Sequence, residues 1–303
     1  MKSGSSSETR FYRFFPMELR GDLTAHTLPF RGRDVILLTL LRHQPALARA
    51  LWLTCWTCAS LRAEQLPGEV FSVREGLHSM VIDRIVADSK GLVWMPAGEG
   101  LARFAGSDIR VFGASDGLPP GSTLDFIELP DGSYVVAVED RLCVLRPLAS
   151  KTHFACESPG HGIIRRVLQD TRGLWIGTVQ GIWFRAANNN RWEPVGSARG
   201  ATHRLLRDSR GDIWATISTD LFRFRQDGRI DRWSYKDQIV ADKGTALAEA
   251  VGAVWVGSQY DLVRFDVDAK TGDARIGSRF DASHGLPSRY VSDVTTWNGE
   301  VWA

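Results

Sequence analysis

Signatures of a catalytic centre are missing from this chain. Its seven histidines (His26, His43, His78, His153, His161, His203 and His284) include no pair at a metal-ligand spacing such as H-E-x-x-H. There is no G-x-S-x-G elbow, P-loop or dinucleotide fingerprint. On this reading the chain has no catalytic, cofactor-binding or metal residue to assign and is not an enzyme. Cysteine is scarce, with four in 303 residues. Cys55 and Cys58 have C-x-x-C spacing but lack a βαβ context or a second ligand pair, which speaks against redox or metal chemistry. Cys143 and Cys156 could bridge in an oxidising compartment, and separation alone leaves that open. A basic stripe is also wanting. The net charge is +2, and residues 1–63 hold nine Lys/Arg against four Asp/Glu, so the remainder is slightly acidic. That balance argues against nucleic acid, whose binding rests on neutralising phosphates.

What the chain does have is a repeat. A Gly precedes an aromatic by two or three residues six times: Gly91–Trp94, Gly132–Tyr134, Gly173–Trp175, Gly211–Trp214, Gly252–Trp255 and Gly299–Trp302. The aromatics are spaced 40, 41, 39, 41 and 47 residues apart. Such a period marks one supersecondary unit copied in series. Seven residues after Trp94, Trp175, Trp214 and Trp255 come Leu101, Ile182, Leu221 and Leu262, each opening a short apolar run. The Tyr134 unit slips by one residue, to Leu142. Runs of four or five β-branched and aromatic residues bounded by Gly and Asp are strands and turns. No eleven-residue window in the repeats keeps a helical apolar pattern. The chain is therefore all-β.

One unit reads as four strands: Met80 to Ala87, Leu92 to Met95, Leu101 to Phe104 and Ile109 to Phe112. A four-stranded sheet buries both faces only by stacking on neighbours, and radial stacking gives a β-propeller. The periodic Trp is then a packing anchor between blades. Asp88, Asp170 and Asp208 recur at one place in the unit. A catalytic acid is needed once, so the series reads as side chains capping a turn's amides. His161, between two glycines, and His284 read as exposed turn residues.

The phrase Asp-Ser-(Lys/Arg)-Gly-x-(Val/Ile)-Trp, followed about seven residues on by Leu-x-Arg-Phe, resembles the two-component regulator propeller repeat. So do the linking phrases Phe71 to Leu77, Phe112 to Pro119 and Phe280 to Pro287, each containing Gly-Leu after an acidic residue or histidine. The resemblance covers residues 69–303. It implies a propeller, usually seven-bladed in that family, that serves as the periplasmic sensor of a membrane-bound hybrid histidine kinase or diguanylate cyclase. It further implies a homodimer formed through the full-length receptor, with the membrane reached by a downstream segment.

Five complete units, one N-terminal strand at Val70 to Val73 and half of a sixth unit are counted, so the ring is incomplete and the sequence reads as a fragment. Residues 1–63 form a separate extension. Its run Ala50 to Leu61 is twelve residues, a length that fits a signal-peptide core and is too short to span ~30 Å of bilayer. The start codon reads as assigned too early.

Two functions compete. One is a non-catalytic sensing domain of an exported receptor, bound by a small molecule or saccharide. The other is a secreted propeller enzyme, a lyase or glycosidase, or a stand-alone binding protein. Glycosidase propellers carry Ser/Thr-x-Asp-x-Gly-x-x-Trp, and here the Ser follows the Asp, which weakens the enzyme reading. Asp266 to Gly277 and Leu148 to Gly162, the longest unit-specific insertions, are the expected binding regions.

Overall fold

The computed structural model describes residues 71–303, except 73, 75, 78, 80, 81, 83, 107, 147–152, 235–244, 251, 287, 289, 298 and 299. These described residues belong to one compact unit. The expectations for residues 1–63, including the signal-peptide core and Cys55–Cys58, lie outside the described residues.

Five four-stranded antiparallel sheets and a two-stranded sixth follow one another along the chain. The first blade is β1 (Val86–Ala87), β2 (Val93–Pro96), β3 (Leu101–Phe104) and β4 (Ile109–Phe112). The second is β5 (Thr123–Glu128), β6 (Tyr134–Val138), β7 (Arg141–Leu145) and β8 (Phe154–Glu157). The third is β9 (Ile164–Gln169), β10 (Gly173–Thr178), β11 (Gly181–Ala186) and β12 (Glu193–Pro194). The fourth is β13 (Thr202–Arg207), β14 (Ile213–Ile217), β15 (Asp220–Phe224) and β16 (Ile230–Trp233). The fifth is β17 (Ala246–Ala250), β18 (Ala253–Gly257), β19 (Leu262–Val267) and β20 (Ala274–Phe280), and the sixth is β21 (Thr295–Trp297) with β22 (Glu300–Trp302). First strands of successive blades, β5, β9, β13, β17 and β21, neighbour one another and line the inner side of the stack. These are propeller blades, and among the described residues no strand ladder closes the ring.

The second strands show why the stack holds. Side chains alternate between faces along a strand, so each blade meets two neighbours. Trp94 packs into the second blade with Phe126, Val136 and Val138. Trp175 meets Ile213, Ala215 and Phe224 of the fourth, and Trp214 meets Val254, Val263 and Phe265 of the fifth. Trp94 is 1% exposed and Trp214 0%. Burying one large apolar side chain contributes ~1.5–3 kcal/mol, and here that contribution lies between blades. The periodic Trp is a packing anchor.

Tyr134 departs from this scheme. Ladder partners align Val135, not Tyr134, with Trp94: Val135 faces Ile127 of the preceding strand as Trp94 faces Val86. Leu142 is then seven residues on, and the slip in the repeat disappears. Tyr134 points to the opposite face and packs its ring 4.9 Å from that of Trp94.

The Gly-Leu links share one backbone hydrogen bond. Ala114–Asp116 and Ala282–His284 are 3-10 turns capped by Gly117 (φ 91°) and Gly285 (φ 95°). In all three links the leucine amide reaches back five residues: Leu77 to Ser72, Leu118 to Gly113 and Leu286 to Asp281. Gly117 has a second reason to be glycine, since a Cβ there would lie 2.7 Å from the Phe154 carbonyl oxygen. Leu77 and Leu118 are buried, each seated on the flank of a blade.

Two expectations change and one open question closes. Phe71 and Ser72 form no strand; Phe71 instead packs its ring 4.8 Å from Phe104, covering the outer flank of the first blade. Among the described residues the first strand of that blade is confined to Val86–Ala87. The open question of the body cysteines is settled by register: Cys143 on β7 lies directly opposite Cys156 on β8, and the two are bonded.

Candidate functional site

The recurrent aspartates are structural. Asp88 Oδ1 accepts from the amides of Lys90 (2.9 Å) and Leu92 (2.8 Å), and Oδ2 accepts from Trp94 Nε1 (2.8 Å) and Tyr134 Oη (2.9 Å). Burial pushes this carboxyl up, but the Trp94, Leu92, Tyr134 and Lys90 donors outweigh it and hold Asp88 below the usual carboxylate range. Asp208 repeats the arrangement with Arg210, Asp212 and Trp214. In the third blade the turn is one residue shorter, and Asp170 engages Arg172 through its amide (2.8 Å) and Nε (2.7 Å). The following Ser reaches the next blade: Ser89 pairs with Glu128, and Ser209 with Glu249, through both amide and hydroxyl. All these groups hold turns and neighbouring blades together.

The insertion Asp266 to Gly277 is not an open loop. Half of it is strand, since β19 and β20 extend to Val267 and back from Ala274. Its turn clamps the fourth blade: Arg223 Nη1 donates to the Gly272 carbonyl (2.6 Å), and Arg225 Nη1 to Asp273 (3.0 Å). Arg223 is fully buried and ion-paired with Asp212 at 2.6 Å. A long stem and buried charges make this a clasp, because the turn's carbonyls are committed to arginines of the adjacent blade.

In the second insertion, Ser158, Pro159 and His161 border a shallow polar hollow of about 430 Å³ that Glu157, Arg185 and Trp192 also line. His161 is stacked on Trp183 with ring centroids 3.5 Å apart, rather than standing free in a turn, and burial lowers its pKa. His284 is an exposed turn residue, its Nδ1 2.9 Å from Asp281.

A different cluster emerges on the inner strands. Arg84, Asp125, Arg166 and Arg204 each stand four residues before the residue that closes the first hairpin turn, namely Asp88, Leu129, Asp170 and Asp208. Asp125, Arg166 and Arg204 pair with Ala137, Gly177 and Thr216, each two residues beyond the Trp position of its second strand. Ala246 holds this place in the fifth blade, opposite Gly257. In the sixth it falls to Asp293, two residues after Val291, whose amide bonds Ser258 as that of Ile164 bonds Glu139. One level of the inner wall therefore carries three arginines and two aspartates.

Their partners are unequal. Asp125 is 0% exposed. Its Oδ1 accepts from Arg84 and from the Phe126 amide, and its Oδ2 from the Val167 amide. Arg166 Nη1 donates to the Arg165 carbonyl and Arg204 Nη1 to the His203 carbonyl, both oxygens within the same bulged strands. Neither is in an ion pair among the described residues. Burial, with the neighbouring Arg204 charge, pushes Arg166 down to about 10. Burial also lowers Arg204, opposed by Asp293.

Beside this level lies a cleft of about 720 Å³, lined by Arg84, Glu128, Gln169, Asp170, Leu205 and Arg207 among others. Gln169 presents a buried Oε1 with no hydrogen-bond partner. The arrangement can receive a polar ligand. Sequence reading missed it because the aromatic repeat drew the alignment. The signal was present as Arg-x-x-x-Asp at Arg84–Asp88, Arg166–Asp170 and Arg204–Asp208.

No family model and no curated protein matches this chain by sequence. Among solved structures it is similar to the extracellular domain of a hybrid two-component system from B. thetaiotaomicron. The TM-score is 0.55 at 14% identity, over 73% of this chain and 36% of that one. Virginiamycin B lyase from Staphylococcus aureus is similar at TM-score 0.57 and 14% identity, over 72% and 75%. The WD40 propeller domain of Doa1 gives 0.53 and 11%, over 72% and 73%. The chain spans about a third of the length of the two-component extracellular domain it resembles. At these identities the shared property is the propeller fold.

Proposed function

We propose that this chain is the ligand-sensing, non-catalytic part of an exported bacterial signal-transduction receptor. The observation that carries the reading is the Gly-Leu link. Its three copies, ending at Leu77, Leu118 and Leu286, share the leucine amide's bond to the carbonyl five residues back, and two of them share one glycine-capped turn; this is the phrase by which the sequence resembles two-component regulator propellers. Likeness of fold to the B. thetaiotaomicron extracellular domain supports the same reading.

In this account the sensor stands in the periplasm, and a downstream histidine kinase or diguanylate cyclase in a dimeric receptor gives the output. A small molecule or saccharide binds at the inner wall or its adjoining cleft. To signal, it must bind one arrangement of the receptor more tightly than another. Clusters shared between neighbouring blades, such as that of Trp94 with Phe126, tie adjacent blades together. No helix among the described residues is long and apolar enough to cross a membrane.

A second reading, a propeller enzyme, draws on the similarity to virginiamycin B lyase, which extends over most of that chain. A thermal-unfolding screen of the full chain against neutral sugars, acidic sugars and small carboxylates tests the sensor reading. A saturable rise in Tm with at least one class is expected. A flat response across the panel contradicts it.

A further inference from the structure

Two half-buried guanidiniums on the inner wall have no counter-charge in contact. Arg166 and Arg204 donate to main-chain carbonyls of their own strands and to no carboxylate among the described residues. The nearby acid, Asp125, is engaged elsewhere: Arg84 and the Phe126 amide donate to one of its oxygens and the Val167 amide to the other. Asp293 acts on Arg204 electrostatically but lies beyond ion-pair distance among the described residues. Three arginines against two aspartates leave this level one positive charge in excess.

Taking a guanidinium out of water costs free energy unless an anion or several acceptors replace the lost hydration. Its planar fork fits the two oxygens of a carboxylate or the edge of a tetrahedral oxyanion. The strand irregularities at this level come between Thr123 and Asp125, between Gly177 and Thr178, and between Thr202 and Arg204. Bulges in such places re-aim side chains. Here each leaves the charged residue at the same height on successive strands. The fifth blade contributes Ala246, which is small and uncharged.

We propose that Arg166 and Arg204 form an anion site on the inner wall, which holds a carboxylate or another small oxyanion of the ligand. Arg84, already neutralised by Asp125, positions that acid and borders the cleft through which the rest of the ligand extends. The inference deepens the sensor reading by naming the ligand's charge, and it rests on the chain being a binding module. It holds equally for a free oxyanion and for an acidic group carried by a larger molecule.

The test uses the full chain at constant ionic strength, with malonate, sulfate and inorganic phosphate as probes and chloride as the background ion. Isothermal titration and thermal unfolding should each show saturable binding of at least one probe to the wild type. Ranking malonate against sulfate and phosphate tells a carboxylate site from a tetrahedral-oxyanion site. Arg166→Gln with Arg204→Gln should abolish the effect, and Arg204→Lys, which keeps the charge but loses the fork, should weaken it about tenfold. Arg229→Gln, on an exposed turn, should leave it unchanged. Without probe, the double variant should unfold at or above the wild-type temperature, because it removes two partly buried guanidiniums that no carboxylate among the described residues contacts. A double variant that fails to fold, or that binds the probes as the wild type does, overturns the anion site. So does a wild type that binds none of them. A neutral sugar binding wild type and double variant equally would sink the anion site while leaving the sensor reading intact.

Discussion

Tyr134 donates its hydroxyl to Asp88 across the boundary between the first and second blades, at 2.9 Å, on the same carboxylate oxygen that accepts the Trp94 indole N–H. One acid thereby closes its own turn, orients the anchor of its own blade and grips the next. Burial, then the hydrogen bond to Asp88 and its charge, push Tyr134 up to about 12. The folded state resists ionising this phenol. Its stabilisation is complete below the unfolded pKa of ~10 and is lost as pH rises towards about 12. Tyr134→Phe should cost ~1.5–3 kcal/mol at neutral pH. It should also remove one phenol titrating near pH 12 from the ultraviolet absorbance curve.

Asp88 predicts the acid limb. Its carboxyl is held below the usual range despite burial. The contribution is therefore present above the unfolded pKa of ~3.9 and disappears as pH falls through the lower folded value. Asp88→Asn should unfold more easily at pH 7, by ~1–3 kcal/mol for donors left unmatched. It should also show a flatter fall in Tm between pH 5 and the acid end. A variant with the wild-type acid limb would show that the clasp contributes nothing.

The Gly-Leu link predicts a contrast between two glycines. Gly117 has φ 91° and a backbone oxygen in the path of a Cβ, whereas Gly91 has φ 78° and open space around it. The left-handed conformation alone costs an L-residue ~1–2 kcal/mol. Gly91→Ala should lose about that much in urea unfolding, and Gly117→Ala distinctly more. Equal losses would mean that the approach of Phe154 yields freely.

The Cys143–Cys156 bridge joins facing residues of β7 and β8 in the second blade. For a loop of this size, chain-entropy arithmetic gives ~3 kcal/mol. Reduction, or Cys143→Ala with Cys156→Ala, should lower the Tm. Peptide mapping without reductant should recover the two cysteines in one linked pair. Their recovery as free thiols from protein purified without reductant would contradict the pairing.

Much of this was legible in the sequence, for reasons that can be named. Trp94, Trp175, Trp214 and Trp255 mark four of the blades because a bulky side chain recurs at one packing position, and strands β3 and β4 fall at Leu101 to Phe104 and Ile109 to Phe112 as the sequence pattern predicts. Tyr134 misled because it is aromatic and nearly in phase, yet faces the other way. The off-phase position of Leu142 was the clue. The insertion at Asp266 to Gly277 resembled a binding loop, since length does not reveal that Arg223 and Arg225 claim its carbonyls and Asp273. Arg166 and Arg204 are one per blade and unremarkable singly. Their meaning comes from the register that puts them at one height.

The central claim is that this propeller binds its ligand without consuming it. The direct measurement is equilibrium dialysis of the full chain with a ligand from the unfolding screen, followed by mass spectrometry of the small molecule. The account predicts saturable binding with the ligand recovered chemically unchanged after prolonged incubation. Progressive conversion to a new mass, in proportion to protein and time, would contradict it and establish a propeller enzyme instead.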